Sequence, residues 1–374
     1  MNPAVLAEQA AQALAAGIMI GCVYGLLCVG LAFIFGIMRV INFAQGDFMM
    51  VGMYLAFFLV THVMGETLFG GATPFVAAAL TVPVLFAFGA VLHRLLIART
   101  TGLRAVGLSA EGHQAQLVLT LGLALVLQNG ALILLGTSPR TVLTPLSSSA
   151  WEIPLLYDDF SAVFINHARA IAALLSLAVA FGLFRLVGNT RLGKSLRAAA
   201  DNPEAATYMG IDVDRAHRIA FAIGTAAAGL AGGIIVSYYP VQPFVGVDFI
   251  IIMYAGVVLG GMGSITGAFW GGMVIGLIQQ LSTLFMPLQL QNAAIFAAFV
   301  LILLFRPQGL FGRNVERARD DAPAAAPHPR PHPRLLPGLV RARLRRAEPV
   351  LSAPADAGTD LGGAWRRLEP VQRL

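Results

Sequence analysis

Charged side chains are what this sequence has least of. Only 12% of its 374 residues are Asp, Glu, Lys or Arg, whereas 57% are hydrophobic and the mean hydropathy is +0.76. Soluble globular domains carry about 25% charged residues, because their surface faces water on all sides. The shortage of charge therefore excludes an ordinary soluble protein and predicts a protein that lies in a lipid bilayer.

Ionisable residues are scarcest inside the apolar segments. A proton- or sodium-coupled carrier, or an enzyme acting within the membrane, needs such residues there, although each costs about 2.5–3.5 kcal/mol at the bilayer centre. The segments contain amides instead, such as Gln128 and Asn129 in the fourth and Gln279 and Gln280 in the eighth. Because amides do not titrate, we expect the energy for any transport to come from another protein.

The chain also lacks the short motifs of catalysis and cofactor binding. It has no glycine-rich phosphate loop with a lysine, no His/Glu metal pair, and no Ser, His and Asp set that can be placed together. Its two cysteines, Cys22 and Cys28, fall on different faces of the first apolar segment, which favours a structural role. We therefore expect no catalytic residue, no metal site and no cofactor in this chain.

The net charge of +6 belongs mainly to the C-terminal end. Residues 1–312 contain 13 Lys and Arg against 12 Asp and Glu, whereas residues 313–374 contain 12 against 7, so five of the six net charges lie in the second range. The main body therefore has no basic face of the kind that binds nucleic acid.

The tail, residues 313–374, is rich in Pro, Arg and Ala. Its nine prolines and few large apolar residues predict a disordered cytoplasmic segment. His328 and His332 are separated by proline and have no companion ligands, so we expect no metal site there. Four arginines are expected to lie on anionic membrane lipid: Arg341, Arg343, Arg345 and Arg346.

The apolar segments predict an all-α polytopic membrane protein with eight to nine transmembrane helices. They cover residues 14–38, 47–64, 74–97, 117–136, 170–188, 218–238, 266–286 and 290–305, with a shorter one at 248–260. No Lys or Arg precedes the first segment, which is also too long for a signal peptide, so we expect it to remain as the first span. The segment 248–260 either crosses the membrane or is partly re-entrant.

The distribution of Lys and Arg predicts the orientation, because cytoplasmic loops are enriched in both. On one side of the predicted membrane, the main basic residues are Arg140 and Arg169. The other side contains Arg39, Arg94, Arg99, Arg104 and the group from Arg191 to Arg218. We therefore expect the N-terminus outside and the tail inside, which requires an odd number of crossings and favours nine.

Glycines recur at helical spacing in the first span. Gly17, Gly21 and Gly25 form a stripe of small residues, which lets a second helix approach the backbone closely. Such stripes predict helix packing and do not identify a function.

The longest polar run, within residues 189–217, predicts a short helix with both ends marked. Asn202 is a suitable N-cap, Pro203 and Glu204 suit the first turn, and Gly210 suits the C′ position. The helix from Glu204 to Met209 is too short to be stable alone.

This short helix therefore needs a surface to rest on. We expect Ala205, Ala206 and Met209 to form a small apolar patch that fits a groove on another protein. Asp214 is the predicted N-cap of the next helix. The alternative is an ordinary amphipathic helix between two spans.

Two interruptions rich in Gly or polar residues separate apolar segments. They are residues 42–47 (NFAQGD) and 260–267 (GGMGSITG). Paired interruptions in the two halves of a transporter indicate a substrate path, because irregular backbone at membrane depth needs protein or a water-filled cavity around it. The candidate path residues are Asn42, Gln45, Asp47, Gly263 and Ser264. The alternative is a pair of tight turns at the cytoplasmic face.

Four motifs in order resemble the branched-chain amino acid permeases of the LivH type. They are INFAQGDF, RAAADNPEAATYMGI, LGGMGSITGAFWGG and FRPQGLFG. Gln45 stands where the family usually has His, and Asp47 where it has Glu. The second motif is similar to the EAA loop of bacterial ABC importers, which docks on the ATPase. The resemblance covers most of residues 14–312, and the predicted transmembrane permease domain is residues 1–312.

The resemblance implies a subunit of an ATP-driven importer in the bacterial inner membrane. Its expected partners are two ATP-binding cassette subunits, which bind the ATP, a second permease of the LivM type, and an extracytoplasmic solute-binding protein. In this interpretation Glu204, Ala205, Ala206, Met209 and Gly210 couple the permease to the ATPases. The alternatives are a passive channel for a small polar solute and an ABC importer for urea or short amides.

Overall fold

A computed structural model of the protein describes residues 3–65, 70–99, 111–154, 162–306 and 308–311. The predictions made for the tail, residues 313–374, and for Arg104 lie outside these ranges.

The described chain is predominantly helical. The α-helices are α1 (Pro3–Met38), α2 (Gln45–Phe58), α3 (Thr73–Leu95), α4 (Glu111–Leu135), α5 (Pro145–Ser148), α6 (His167–Asn189), α7 (Arg191–Asp201), α8 (Pro203–Tyr208), α9 (Val213–Ile235), α10 (Val245–Gly260), α11 (Ile265–Ser282) and α12 (Gln291–Phe305). A π-helix (Leu59–Met64) extends α2, and 3-10 turns lie at Gly70–Ala72, Ile97–Arg99 and Leu288–Leu290.

Within the described ranges, six helical segments are long and apolar enough to cross a membrane. They are Val5–Met38, Gln45–Met64, Gly70–Leu95, Gln114–Leu135, His167–Asn189 and Val213–Ile235, while α10 and α12 are shorter apolar helices. The predicted class, an all-α polytopic membrane protein, is confirmed. The count of eight or nine spans stays a prediction.

The bundle is built around α1, which packs most extensively against α11 and also against α9, α6 and α10. The glycine stripe of α1 makes the closest of these contacts possible. A Cβ added to Gly21 would lie 2.8 Å from the Met273 carbonyl oxygen, and one added to Gly276 would lie 2.5 Å from the Gly21 Cα. The two backbones therefore touch, and the packing role predicted for the stripe is confirmed.

The second core helix is α9, which packs on α2, α3 and α1. Small residues again allow close approach. A Cβ added to Gly224 would lie 2.7 Å from the Gly30 carbonyl oxygen, and Gly232 lies against the Met49 backbone. In contrast, large apolar side chains on α4, α6 and α12 are exposed, as expected for helices that face lipid or another subunit: Val118, Val126, Ile133, Leu174, Phe181, Val300 and Leu304.

A two-stranded antiparallel sheet was not predicted from the sequence. Strand β1 (Ala150–Pro154) pairs with β2 (Ala162–Asn166), so that Ala150 lies opposite Asn166. The Gln12 side chain of α1 forms two hydrogen bonds with strand β2 of this sheet. Its Nε2 donates to the Phe164 carbonyl and its Oε1 accepts from the Phe164 N–H, both at 2.9 Å.

Three local predictions need correction. The first helix begins at Pro3 instead of residue 14, and α7 is a separate helix within the polar run. The N-cap of α9 is Asp212, whose side chain accepts from the Arg215 N–H at 2.9 Å, whereas Asp214 lies within the first turn. Both aspartates are suitable for the start of a helix, and the turn after Gly210 brings Asp212 to the N-cap position.

Candidate functional site

The first interruption is a turn buried inside the bundle. After α1 ends, Arg39 takes a left-handed conformation (φ 54°) and the chain returns toward the bundle. Asn42 Oδ1 accepts from the Ala44 N–H at 3.1 Å, and Asn42 Nδ2 donates to Gln45 Oε1 at 3.1 Å. Gln45 Nε2 then donates to the Gly224 carbonyl at 3.0 Å. Both side chains are fully buried, and α2 therefore begins beside the middle of α9.

Asp47 lies in the first turn of α2 and is only 2% exposed. Its Oδ1 accepts a hydrogen bond from Gln128 Nε2 of α4 at 2.9 Å. A carboxylate in the first turn also interacts favourably with the positive end of the helix dipole. The partner amide was visible in the sequence as a polar residue of the fourth segment, but its pairing with Asp47 was not.

The first turns of α2 and α10 meet at this place. The Gly46 and Gly246 backbones are in contact, and a Cβ on Gly246 would lie 2.9 Å from Asp47 Oδ1. Two short helices therefore start at one point inside the bundle, glycine against glycine. In many transporters, helix N-termini that meet in this way inside the membrane form the central substrate site.

Gly263 and Ser264 lie elsewhere, at the start of α11. Gly263 is left-handed (φ 94°), and Ser264 caps α11 by accepting from the Gly267 N–H at 3.0 Å. A Cβ on Gly36, near the end of α1, would lie 3.7 Å from the Gly263 carbonyl oxygen. The five candidate path residues thus form two groups, one beside the middle of α9 and one beside the end of α1. Their role in a path stays a prediction.

The short helix in the polar run, α8, has the predicted ends. Asn202 Oδ1 accepts from the Ala205 N–H at 3.0 Å, and Pro203 and Glu204 occupy the first turn. Gly210 is left-handed (φ 82°). The Gly210 N–H donates to the Thr207 carbonyl and the Ile211 N–H to the Ala206 carbonyl, which is the Schellman arrangement.

The surface of α8 differs from the predicted patch at two residues, because Ala206 is buried and Tyr208 is exposed. Tyr208 is 88% exposed and Met209 is 83% exposed, and Ala205 and Gly210 are exposed as well. Ala206 is only 4% exposed, because it faces the protein, where α8 packs on α7 and α9. The exposed apolar surface is therefore formed by Tyr208, Met209 and Ala205, and the small Ala206 lets α8 lie close to its neighbours.

A further polar region lies at the opposite end of α1. A cavity of about 540 Å³ is lined by residues from the start of α1, from β2, from the first turn of α6 and from the end of α11. Arg169 lies in its wall, and the guanidinium carbon is 5.7 Å from the centre of the Tyr238 ring. The sequence offered one hint of this region, an arginine on the side of the predicted membrane that has few.

No described group of three or more His, Cys, Asp or Glu side chains could hold a metal ion. Within the same residues Cys22 and Cys28 are free and buried.

Comparison with known proteins supports the sequence motifs. The family model of the branched-chain amino acid transport system permease component matches residues 13–305. The permease protein LivH of the high-affinity branched-chain amino acid transport system of Escherichia coli K12 is 28% identical over 302 residues, which cover 79% of this chain and 94% of the relative.

Two further relatives agree. BraD of Pseudomonas aeruginosa, a permease protein of the same kind of system, is 28% identical over 304 residues, or 81% of this chain and 95% of BraD. The probable LivH permease of Methanocaldococcus jannaschii is 29% identical over 261 residues, or 70% and 77% of the two chains. No solved structure matches. Because the family model covers most of the chain, including the buried turn, α8 and the α10–α11 pair, this protein belongs to the family of branched-chain amino acid transport system permease components.

Proposed function

We propose that this protein is the membrane-spanning permease subunit of an ATP-driven importer for branched-chain amino acids, and that α8 couples it to the ATPase subunits. Membership of a permease family makes the chain a transport subunit and not an enzyme. The substrate is inferred from the names of the relatives, several of which are permeases of high-affinity branched-chain amino acid systems. The location that fits these relatives is the inner membrane of a bacterial cell.

The observation that carries the coupling proposal is the exposed apolar surface of α8. The helix is six residues long, too short to be stable without support, yet it presents Tyr208 and Met209 outward. Large apolar side chains exposed on a polar loop are typical of a protein interface. Their occupant in this proposal is a groove of the ATP-binding cassette subunit on the cytoplasmic side.

The supports of α8 favour its movement as one unit. The Asn202 cap and the Schellman turn at Gly210 fix both ends, and Ala206 anchors the middle against the protein. On one side α8 packs on α7, which continues from the span α6, and on the other on α9. When the ATPases close, a displacement of α8 would be passed to both spans, a shift between two packed states.

The remaining partners follow from the same proposal. The chain pairs with a second permease, which covers part of the exposed apolar surface of the bundle. A solute-binding protein delivers the amino acid from outside, and the two ATPase subunits bind the ATP, so this chain needs no cofactor of its own.

The test is a charge placed on the exposed surface of α8. Met209→Asp should weaken co-purification of the ATPase subunits about tenfold, because it puts a carboxylate into an apolar contact. Phe285→Asp is the matched control, since Phe285 is also 83% exposed but follows α11, at the opposite end of the bundle in the predicted orientation.

The readouts are the amount of ATPase retained on the purified permease and leucine uptake by cells with the complete importer. Both should fall for Met209→Asp, whereas Phe285→Asp should retain the ATPase subunits as the native permease does. Normal retention and uptake in Met209→Asp would show that α8 is not the coupling element.

A further inference from the structure

The cavity at the start of α1 is suited to a ligand that carries both signs of charge. We call it the outer vestibule and define it by Glu8, Gln12, Phe164, Arg169, Gln280 and Thr283, with Ala13, Ala16 and Leu284 as apolar wall. Glu8 and Arg169 are the ionisable residues of its described lining. The volume of about 540 Å³ lies within the range of small-molecule sites, about 300–1,000 Å³.

The two arginines expected on the outer side, Arg140 and Arg169, make different contacts. Arg140 donates to the Leu135 carbonyl at 2.8 Å and lies over the rings of Phe57 and Phe58. Arg169 contacts the Tyr238 ring, and no described carboxylate is close enough to form an ion pair with it. Arg140 therefore has a structural role, whereas Arg169 forms no ion pair within the described residues.

The position of Arg169 adds to the attraction for an anion. It lies in the first turn of the 23-residue helix α6, where the helix dipole contributes partial positive charge. A cation at this end is unfavourable for the isolated helix, which indicates that the site serves another purpose. Arginine also matches a carboxylate well, since its fork can form two parallel hydrogen bonds.

Gln12 stabilises the wall of the outer vestibule, which also contains Glu8 and Arg169. Both polar groups of its amide are taken by the Phe164 backbone, so Gln12 positions β2 against α1. Glu8 lies one turn earlier on α1 and makes no ion pair with any described residue. The vestibule thus has a negative and a positive side chain in one cavity, and they form no ion pair with each other.

From this arrangement we propose that the outer vestibule binds a zwitterionic α-amino acid, with the carboxylate on Arg169, the ammonium group near Glu8 and an aliphatic side chain against Ala13, Ala16 and Leu284. The proposal rests on the proposed function and deepens it, because it makes the vestibule the place where an incoming solute is first recognised. A solute without charges, such as urea or a short amide, would use neither ionisable side chain.

The test is protection of a cysteine placed in the cavity. Thr283→Cys introduces an exposed thiol into the lining, whereas the native Cys22 and Cys28 are buried and label slowly. The purified permease in lipid nanodiscs is labelled with a membrane-impermeant maleimide in the presence of leucine, leucinamide or isocaproate. Leucinamide lacks the carboxylate and isocaproate lacks the ammonium group.

Leucine should slow the labelling, and the two analogues should do so only at far higher concentration. Arg169→Gln and Glu8→Gln should each raise the leucine concentration for half-protection about ten- to hundredfold, the effect of losing a charged partner. Arg169→Lys should retain part of the protection, because it keeps the positive charge but loses the two-pronged hydrogen bond, and Arg140→Gln should retain all of it. Gel filtration of each variant checks that the protein is intact.

Three results would overturn the proposal: no protection by leucine, equal protection by leucinamide, or protection that survives Arg169→Gln. Protection that depends on anionic lipid in the nanodisc and not on leucine would also overturn it, since the anion would then be a headgroup. The assay contains no ATP and no ATPase. Protection can therefore be found even if the transport is not ATP-driven, and ATP-driven uptake without protection would reject the vestibule alone.

Discussion

For Asp47, the structure adds a position and a hydrogen-bond partner that the sequence did not reveal. The sequence marks it as a rare carboxylate near the apolar core, and the structure places it at the meeting point of α2 and α10 with a hydrogen bond from Gln128. Asn42 and Gln45, predicted beside it on the same grounds, are occupied by hydrogen bonds within the turn and to α9. All three side chains are hydrogen-bonded and buried, and Asp47 differs from the other two in having a carboxyl group, so a role of charge is tested there.

Two substitutions separate the charge of Asp47 from its hydrogen bond. Asp47→Asn keeps an acceptor for Gln128 but removes the charge, and Asp47→Leu removes both and leaves the half-buried Gln128 amide without this partner. We expect both variants to lose leucine uptake while the ATPases still co-purify. Normal uptake by Asp47→Asn would show that the charge is not needed, and loss of assembly in both variants would assign Asp47 a structural role.

Residue-scale predictions succeeded where the interaction is local in sequence. The Asn202 cap and the Gly210 turn involve groups within five residues of each other, so the sequence contains the whole signal. The Gln45 bond to Gly224 and the Gln128 bond to Asp47 join residues far apart in the chain. Only the packing of helices brings these pairs together, and a single sequence does not reveal it.

At the scale of elements, the length of the hydrophobic segments predicted the helices well. Segment length did not predict how the helices pack or where the short strands lie. The predicted segment 248–260 agrees with α10 within a few residues, but its start beside α2 depends on glycines that look ordinary in sequence. The burial of Ala206 was missed because a six-residue helix has no periodicity from which to read its inner face. The β1–β2 pair was missed because its strands are short and largely exposed.

The contact between α2 and α10 predicts a specific sensitivity to added methyl groups. Gly46→Ala and Gly246→Ala should each lower the free energy of unfolding by about 1–3 kcal/mol, because a Cβ would press on the facing backbone. Gly122→Ala is the control, since its Cβ would meet nothing within 4 Å, and it should be neutral or stabilising by about 0.4–1 kcal/mol.

Thermal unfolding of the purified permease in detergent measures all three variants. A loss of stability in Gly122→Ala equal to that in Gly46→Ala would mean that the effect is general to helical glycines. In that case the contact between α2 and α10 would not be the cause.

At the scale of the whole molecule, the chain is a membrane bundle with two polar ends and little charge between them. In the predicted orientation, α8, the proposed docking surface for the ATPases, is exposed at one end, and the outer vestibule, the proposed amino acid site, lies at the other. The buried meeting point of α2 and α10 lies within the bundle. The absence of ionisable side chains from most of the apolar segments fits transport that is driven by a partner.

ATP-dependent uptake by the reconstituted importer tests this account most directly. Proteoliposomes containing this permease, the second permease and the two ATPases, with the binding protein outside and ATP inside, should accumulate leucine, isoleucine and valine. Accumulation should stop when ADP replaces ATP, and urea and acetamide should not accumulate. Equilibration of urea or acetamide without ATP would instead identify a passive channel and contradict the account, as would ATP-driven accumulation of those solutes in place of the amino acids.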